Sequence, residues 1–469
     1  MLTLRTLMVW IRRIAAPMTW DYGPAQLAIH ADMIRRGVPL YRDFRTAPFM
    51  PLVYGPVVPA LTSITAPIFG AGPMAALEAG RLLTIASTMV VAMLIFLLAR
   101  RIGVSRVAAM LVALAFILSP IVLRWGFEYR VDMPVLACEL GGIFAFAGGA
   151  TVVAIALFVI SFFIKQAHAV GIATVVLYCW TAKQRRRALG LALTWLGLVT
   201  LGVALLAWIY PDYLLNTFEA VRTMQLDFAA PVLFSSILIG GNAGLLLFAG
   251  IALTRHHLTD RLMICLLLIA SIHDLASSLR WGSNAYYFLM TLAALKIIAG
   301  AGIDLALKRV RVMPRLAQVG AGIALALLLS LGFIIAPRAI TTSVAAADPW
   351  DDRALAILQS IDGPILTDTA ELKLVDRQPN LEWIDLMVLT SMHGLGSFDD
   401  TALVAAIEHR EIAAFALDDE GLARSFRGRQ LFWPRLRSAI ENNYEVVDGV
   451  GPPWLMIPKR SGQKTKTPR

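Results

Sequence analysis

The chain has 469 residues, of which 58% are hydrophobic and only 16% are charged, and its formal net charge is +10. Soluble proteins are about half apolar and a quarter charged, so this composition excludes an ordinary soluble protein and predicts an integral membrane protein. Lys and Arg fall in short clusters between apolar runs, which is typical of cytoplasmic membrane loops and does not indicate nucleic-acid binding.

The first apolar segment, residues 1–18, is a weak membrane span because Arg5, Arg12 and Arg13 interrupt it. It lacks the small-residue cleavage site of a signal peptide. Whether this span is complete stays open. Residues 19–75 are too polar to cross a bilayer and are predicted to form an external loop ordered as helix, turn and helix.

Further apolar segments follow, most of them close to the roughly 20 residues that a bilayer requires. They cover residues 76–98, 105–123, 132–147, 149–164, 168–182, 188–210, 231–253, 261–278, 284–303 and 316–336. With the weak first segment, they predict a mainly α-helical polytopic protein with about 10–11 spans.

The basic clusters fix the expected orientation. If the spans alternate, those near Arg100, Arg186, Arg255 and Arg309 share one face, which the positive-inside rule makes cytoplasmic. The loop of residues 19–75 and everything after Pro337 then lie on the extracytoplasmic face of the inner (plasma) membrane.

Residues 337–458 are polar and are predicted to form a small extracytoplasmic α/β domain. Helices are expected at 352–361, 399–410 and 434–443, and strands at 364–367, 412–417, 444–450 and 454–457. No glycine-rich loop opens these helices and Gly394 and Gly396 are assigned to a loop, so nucleotide binding is not indicated. Residues 459–469 are expected to be a disordered basic tail.

Several charged residues occur inside or beside spans, where they are costly unless they are paired or functional. Asp132 and Glu139 lie seven apart and share a helix face, so Glu139 must be buried in the bundle. Lys165 and His168 are expected to reach a phosphate from one helix end, with membrane anchoring as the alternative. His273, Asp274 and Arg280 form another polar stripe.

Cysteine spacing gives no sign of a disulfide framework or a metal site. Cys138, Cys179 and Cys265 all lie in apolar runs. No cofactor is expected, and the sequence leaves the role of a divalent metal undecided.

Short motifs in a fixed order resemble a known family. They are Trp20-Asp21-Tyr22-Gly23, Gly37, Leu40-Tyr41, Asp43, Pro48, Tyr54-Gly55-Pro56, Gly80-Arg81, Arg130-Val131-Asp132, Lys165-Gln166, Gly282-Ser283-Asn284 and Tyr287-Phe288. The order resembles the C-type superfamily (GT-C) of membrane glycosyltransferases, in a bacterial group related to the dolichyl-phosphate-mannose mannosyltransferase and aminoarabinose transferase families. Pro24 stands where many relatives carry an acidic residue, which argues against a role for two carboxylates in this loop.

The resemblance implies that residues 1–336 form a glycosyltransferase module. Such enzymes transfer a sugar from a polyprenyl phosphate to a lipid, glycan or protein acceptor, with inversion at the anomeric carbon. The resemblance makes Asp21 the catalytic base, whereas a helix cap is the alternative. Together with the charged residues above, it assigns substrate binding to Tyr22, Tyr41, Asp43, Tyr54, Arg81, Arg130, Asp132, Lys165, Gln166, His168, Arg280, Asn284 and Tyr287. Asp43 is equally explained as a turn residue.

Two other function classes stay open. A polyprenyl-lipid transporter or flippase would also carry membrane carboxylates, but the chain shows no repeated, broken halves of the kind that many transporters have. A non-catalytic lipid-binding membrane protein is the other alternative. In all three cases the expected partners are polyprenyl-linked and membrane lipids, and no nucleic acid.

Overall fold

The computed structural model describes residues 2–16, 22–47, 49–166, 168–222, 224–254, 260–312, 314–315, 350–375, 380–419, 422, 424–426 and 429–459. The predicted span at 316–336, the start of the C-terminal domain at 337 and nearly all of the basic tail fall outside these residues, and so does Asp21.

Helices make up nearly all of the regular structure before residue 312. They are Leu2–Arg13 (α1), Tyr22–Arg35 (α2), Val57–Thr65 (α3), Gly72–Arg101 (α4), Arg106–Ile117 (α5), Pro120–Trp125 (α6), Asp132–Ala147 (α7), Thr151–Ile164 (α8), Val170–Thr181 (α9), Arg185–Ile209 (α10), Ala220–Arg222 (α11), Ala229–Thr254 (α12), Arg261–Ser278 (α13) and Leu289–Arg311 (α14). Short turns of other helix types lie at Ala66–Ile68, Leu215–Glu219 and Ala285–Phe288.

The protein is a polytopic membrane protein, as the composition predicts. Among the described residues, five helical segments are long and apolar enough to cross a membrane: Gly72–Arg101, Arg185–Ile209, Ala229–Thr254, Arg261–Ser278 and Ala285–Arg311. Shorter apolar helices cover Val57–Ile68, Arg106–Ile117, Thr151–Ile164 and Val170–Thr181. The predicted span 105–123 is wrong as one helix, because Pro120 opens a new helix after a break at Ser119.

Close packing holds the polar loop of residues 22–70 to the helical bundle. The Gly55 N–H donates to the Ile164 carbonyl at 3.2 Å, at the end of α8. A side chain at Gly55 would collide with the backbone of Phe163, so only glycine allows this approach. The loop is therefore fixed beside the residues that follow α8.

The C-terminal α/β domain is built on a mixed sheet of five strands in the order β2-β1-β3-β7-β6. The strands are Ile365–Thr367 (β1), Leu381–Trp383 (β2), Ala414–Leu417 (β3), Tyr444–Val446 (β6) and Trp454–Pro458 (β7), and a separate hairpin joins Ser425–Phe426 (β4) to Arg429–Gln430 (β5). β2 and β3 run parallel to β1, and β7 is antiparallel to both β3 and β6.

Five helices complete this domain: Asp352–Gln359 (α15), Leu372–Val375 (α16), Leu386–Gly394 (α17), Thr401–Glu408 (α18) and Pro434–Asn443 (α19). The three predicted helices are confirmed, whereas β2, α16 and α17 are absent from the sequence prediction. The loop assignment of Gly394 is wrong, because Gly394 ends α17.

The domain docks on the helix that opens the polar loop. Gln26 of α2 donates from Nε2 to the Pro51 carbonyl at 3.0 Å and lies 3.5 Å from Oδ2 of Asp385, directly before α17. Both Gln26 and Asp385 are buried. This contact brings the C-terminal domain and the residues after Asp21 to one place.

Candidate functional site

A cavity of about 370 Å³ lies between the membrane helices and the C-terminal domain, a size typical of sites for small ligands. The first 312 residues contribute Gly23, Val53, Tyr54, Arg130, Lys165, Gln166, Thr217, Val221, Met224, Arg280, Trp281, Gly282, Asn284, Tyr286 and Tyr287. The C-terminal domain contributes Asp368, Trp383, Ile384, Asp385, Leu386, Met387, Arg424, Ser425 and Leu431. Both parts of the chain therefore enclose one space.

Two cations on the membrane side share a single carboxylate. Asp132 accepts from Lys165 Nζ at 2.7 Å through Oδ1 and from Arg130 Nε at 3.1 Å through Oδ2. All three side chains are less than a tenth exposed. Among the described residues, this wall therefore has two cations that share one carboxylate.

Aromatic rings hold these cations in place. The Arg130 guanidinium lies 3.9 Å from the ring centroid of Tyr286, and Lys165 Nζ lies 4.3 Å from that of Tyr287. Tyr286 and Tyr287 stack with centroids 5.2 Å apart. Such contacts stabilise a cation where water is excluded.

Arg280 adds a third cation to this wall. Among the described residues, no carboxylate lies within ion-pair distance of its side chain, in contrast to Arg130, Lys165 and Arg424. Arg280 lies two residues after the end of α13 and precedes a turn in which Gly282 has a φ of 90°. Asn284 ends this turn and accepts the N–H of Ala285 at 2.7 Å. An unpaired cation beside two partly neutralised ones suits an anionic ligand.

The C-terminal domain contributes two carboxyl groups to the cavity, those of Asp368 and Asp385, and one cation, Arg424. Asp368 accepts from Arg424 Nη1 at 2.8 Å, and the Arg424 Nη2 lies 3.6 Å from Asp418. Asp385 caps α17 by accepting the N–H of Val388 at 3.1 Å. Burial raises the pKa of the Asp385 carboxyl to about 7 against hydrogen bonds from the backbone of Val388 and Met387, which lower it.

Comparison with solved structures gives strong similarity in fold at low sequence identity. The structure of ArnT from Cupriavidus metallidurans in the apo state matches with a TM-score of 0.63 and 15% identity, covering 97% of each chain. The same protein bound to undecaprenyl phosphate matches with a TM-score of 0.60 over the same shares. The Archaeoglobus fulgidus oligosaccharyltransferase in the apo form matches with a TM-score of 0.57 and 12% identity, over 88% of this chain and 69% of that one.

The chain has the fold of the C-type (GT-C) membrane glycosyltransferases. The resemblance read from the motifs is thus confirmed at the level of fold. No family model matches the sequence, and no curated protein does.

The GT-C fold brings about half of the predicted substrate-binding residues to the cavity. Tyr54, Arg130, Lys165, Gln166, Arg280, Asn284 and Tyr287 all line it. Asp132 lies behind them as the partner of Arg130 and Lys165.

Three other predicted residues lie away from the cavity. Tyr41 is buried and its hydroxyl donates to the Tyr54 carbonyl at 2.9 Å, so it supports a lining residue. Asp43 pairs with Arg45 at 2.8 Å and accepts the Arg45 N–H, as a turn residue does. Arg81 is buried and donates to the carbonyls of Arg13 and Ile14, so it ties α4 to the end of α1.

Lys165 and His168 do not extend from one helix end. Lys165 follows the last residue of α8, His168 precedes α9, and the His168 N–H donates to the Lys165 carbonyl across the turn. His168 packs on His273 with ring centroids 4.7 Å apart and does not line the cavity. Its place is therefore behind Lys165.

Asp21 and the Tyr22 side chain lie outside the described part of the chain. The next residue, Gly23, lines the cavity, and α2 begins at Tyr22. Glu139 is fully buried, as predicted, and accepts from Ser161 Oγ at 2.8 Å and from the Gly171 N–H.

The sequence prediction did not include the cavity residues of the C-terminal domain, foremost Asp368, Trp383, Asp385 and Arg424. One signal is readable in the sequence: Asp368 comes directly after the strand predicted at 364–367, which the structure has at Ile365–Thr367. Within the described ranges, no group of three or more His, Cys, Asp or Glu side chains is placed to hold a metal ion.

Proposed function

We propose that this protein is an inverting membrane glycosyltransferase that moves a sugar from a polyprenyl phosphate to a lipid, glycan or protein acceptor on the extracytoplasmic face. The observation that carries the proposal is the cationic wall of Arg130, Lys165 and Arg280 in a cavity that also contacts the loop beginning after Asp21. It is supported by the fold shared with an ArnT structure that holds undecaprenyl phosphate.

The proposed reaction forms one bond and breaks one bond at the anomeric carbon. An acceptor hydroxyl or amine attacks this carbon and gives its proton to the Asp21 carboxylate. The bond to the phosphate oxygen breaks on the opposite face, and the polyprenyl phosphate leaves with both electrons. Arg280, Arg130 and Lys165 stabilise the negative charge that develops on the leaving phosphate.

The decisive experiment is Asp21→Asn in the full-length protein. Asn caps a helix about as well as Asp but cannot accept the proton, so transfer should fall roughly 10²- to 10⁴-fold while undecaprenyl phosphate still binds. Transfer is measured with undecaprenyl-phosphate sugars and a membrane lipid extract as the acceptor. Asp362→Asn, at an exposed carboxylate of the C-terminal domain, serves as the control.

Each outcome separates the candidate functions. Transfer by Asp21→Asn at the wild-type rate would show that Asp21 is a helix cap and not the catalytic base. A wild-type protein that moves undecaprenyl-phosphate sugars across a vesicle membrane without transferring the sugar would favour the flippase alternative.

Orientation is tested by cysteine labelling in intact cells. Thr46, Ser360 and Gln184 are all exposed, so single cysteines there can react with an impermeant thiol reagent. In a background without Cys138, Cys179 and Cys265, cysteines at 46 and 360 should be labelled, and the one at 184 only after permeabilisation. Labelling at 184 alone in intact cells contradicts the proposed orientation.

A further inference from the structure

Three carboxylates meet at one edge of the C-terminal sheet. Asp368 follows β1, Asp385 lies two residues after β2, and Asp418 follows β3. β2 and β3 both run parallel to β1, from opposite sides, so all three strands end at the same edge. In open α/β sheets, ligands bind outside the carboxyl ends of parallel strands, where the chain crosses from one side of a central strand to the other.

This edge lines the same cavity as the cationic wall. Asp368 and Asp385 line the cavity together with Trp383, the last residue of β2. Arg424 neutralises part of the edge through its ion pair with Asp368. Among the described residues, the cavity therefore has one wall with more cations than carboxylates and one wall with more carboxyl groups than cations.

The two cavity carboxylates differ in the donors that they accept hydrogen bonds from. Asp368 accepts from the Asp418 N–H at 2.9 Å and from Thr369 Oγ1 at 3.1 Å through Oδ1, and from Arg424 through Oδ2. Asp385 accepts backbone N–H groups at the start of α17, and Gln26 approaches Oδ2 only at 3.5 Å. A carboxylate offers about four acceptor sites, so Asp385 keeps capacity for a ligand.

We propose that the carboxyl edge of the C-terminal sheet binds the sugar ring of the donor, and that Asp385 accepts hydrogen bonds from the sugar hydroxyls. The inference rests on the proposed function, because it places the donor phosphate at the cationic wall. A sugar phosphate carries its charge at one end and hydroxyl donors at the other, which matches the two walls. The C-terminal domain thereby selects the sugar, and the membrane helices hold the phosphate.

The test compares lipids with and without a sugar. Wild-type protein and Asp385→Asn, both full length in nanodiscs, are titrated with undecaprenyl phosphate and with undecaprenyl-phosphate glucose, mannose, galactose and arabinose. Asn keeps the helix cap but can present an amide N–H to the cavity in place of an acceptor oxygen. The best sugar-bearing lipid should bind Asp385→Asn roughly 10- to 100-fold more weakly, and undecaprenyl phosphate should bind unchanged.

A second variant and a matched control complete the design. Asp385→Ser also caps a helix but is too short to reach a ligand, so it should show the same selective loss. Asp351→Asn changes the cap of α15 in the same domain, away from the cavity, and should bind both lipids as the wild type does.

Three results would overturn the inference. The first is that both Asp385 variants bind the sugar-bearing lipid with wild-type affinity, and the second is that they lose affinity equally for the sugar-bearing lipid and for undecaprenyl phosphate. The third is that the wild type binds no sugar-bearing lipid more tightly than undecaprenyl phosphate. A wild type that binds neither kind of lipid would instead contradict the proposed function itself.

Discussion

Both walls of the cavity carry cations and carboxyl groups, but in opposite proportions. On the membrane side, Arg130 and Lys165 share Asp132, and Arg280 adds a third cation. On the C-terminal side, Arg424 pairs with Asp368 and approaches Asp418, and Asp385 adds a third carboxylate. On each wall one charged group is thus shared by two groups of opposite charge, and among the described residues the membrane wall has more cations and the C-terminal wall more carboxyl groups. A ligand with an anionic end and a hydroxylated end fits this arrangement in one direction only.

The largest effect is expected from removing the shared counter-charge of the membrane wall. Asp132→Ala removes the carboxylate that the buried Arg130 and Lys165 share. Breaking a buried pair in this way costs about 3–5 kcal/mol. The thermal midpoint in detergent should fall steeply, whereas Glu219→Ala, which removes the partner of the exposed Arg222, should hardly change it. Equal midpoints for the two variants would show that the pairing at Asp132 contributes nothing.

On the C-terminal wall, the carboxyl group of Asp385 should make the stability of the protein depend on pH. The native Asp385 pKa of about 7 lies above its ordinary value of 3.8, so between these values the native state keeps a proton that the unfolded state has lost. The free energy of unfolding therefore decreases as pH rises from about 4 to about 7, by at most roughly 4 kcal/mol, and then levels off. Asp385→Asn should remove this slope in denaturant titrations across that pH range. An identical slope in the variant would contradict the assignment.

A smaller effect is expected for the unpaired cation. Arg280→Gln removes a charged donor that has no carboxylate partner in the described part of the chain, so binding should weaken while folding is kept. The affinity for undecaprenyl phosphate should fall roughly 10- to 100-fold, the range for a hydrogen bond between charged groups. Arg222→Gln, at an exposed arginine outside the cavity, is the matched control. Unchanged affinity in Arg280→Gln would remove this residue from the phosphate site.

The smallest effect concerns a carboxylate that belongs to neither wall. Asp43 and Arg45 form an exposed pair, and such pairs contribute about 0–1 kcal/mol. Asp43→Ala should therefore lower the thermal midpoint only slightly and leave the affinity for undecaprenyl phosphate as it is. A loss of affinity comparable to that of Arg280→Gln would restore the substrate-binding role that the family resemblance implies.

The sequence predicted the membrane wall better than the C-terminal wall, for a physical reason. Arg130, Lys165 and Arg280 stand out as charges at the ends of apolar runs, where the bilayer makes an unneeded charge costly. Asp368 and Asp385 lie in polar surroundings, where a carboxylate carries no such signal. Asp368 and Asp385 line the same cavity as Lys165 because the C-terminal domain docks on α2. No local sequence pattern predicts this docking.

Secondary structure shows the same limit. The helix at 132–147 was predicted with its observed ends, because a long apolar run between polar turns has few alternatives. The strand Leu381–Trp383 was missed because three residues are too few to show a period. The expectation that Lys165 and His168 share one helix end is wrong because α8 ends before Lys165 and α9 begins after His168, so both residues lie in the turn between the two helices.

The backbone contact of Gly55 with the end of α8 has a consequence for how the site can change. Because Gly55 bonds to Ile164 and admits no side chain, Tyr54 and Lys165 are displaced together or not at all. The end of the cavity at Tyr54 and Lys165, where we propose that the phosphate binds, is thus held in place. Variants that accept a bulkier sugar should therefore arise from changes along the strand ends of the C-terminal domain, because such changes leave this end of the cavity as it is.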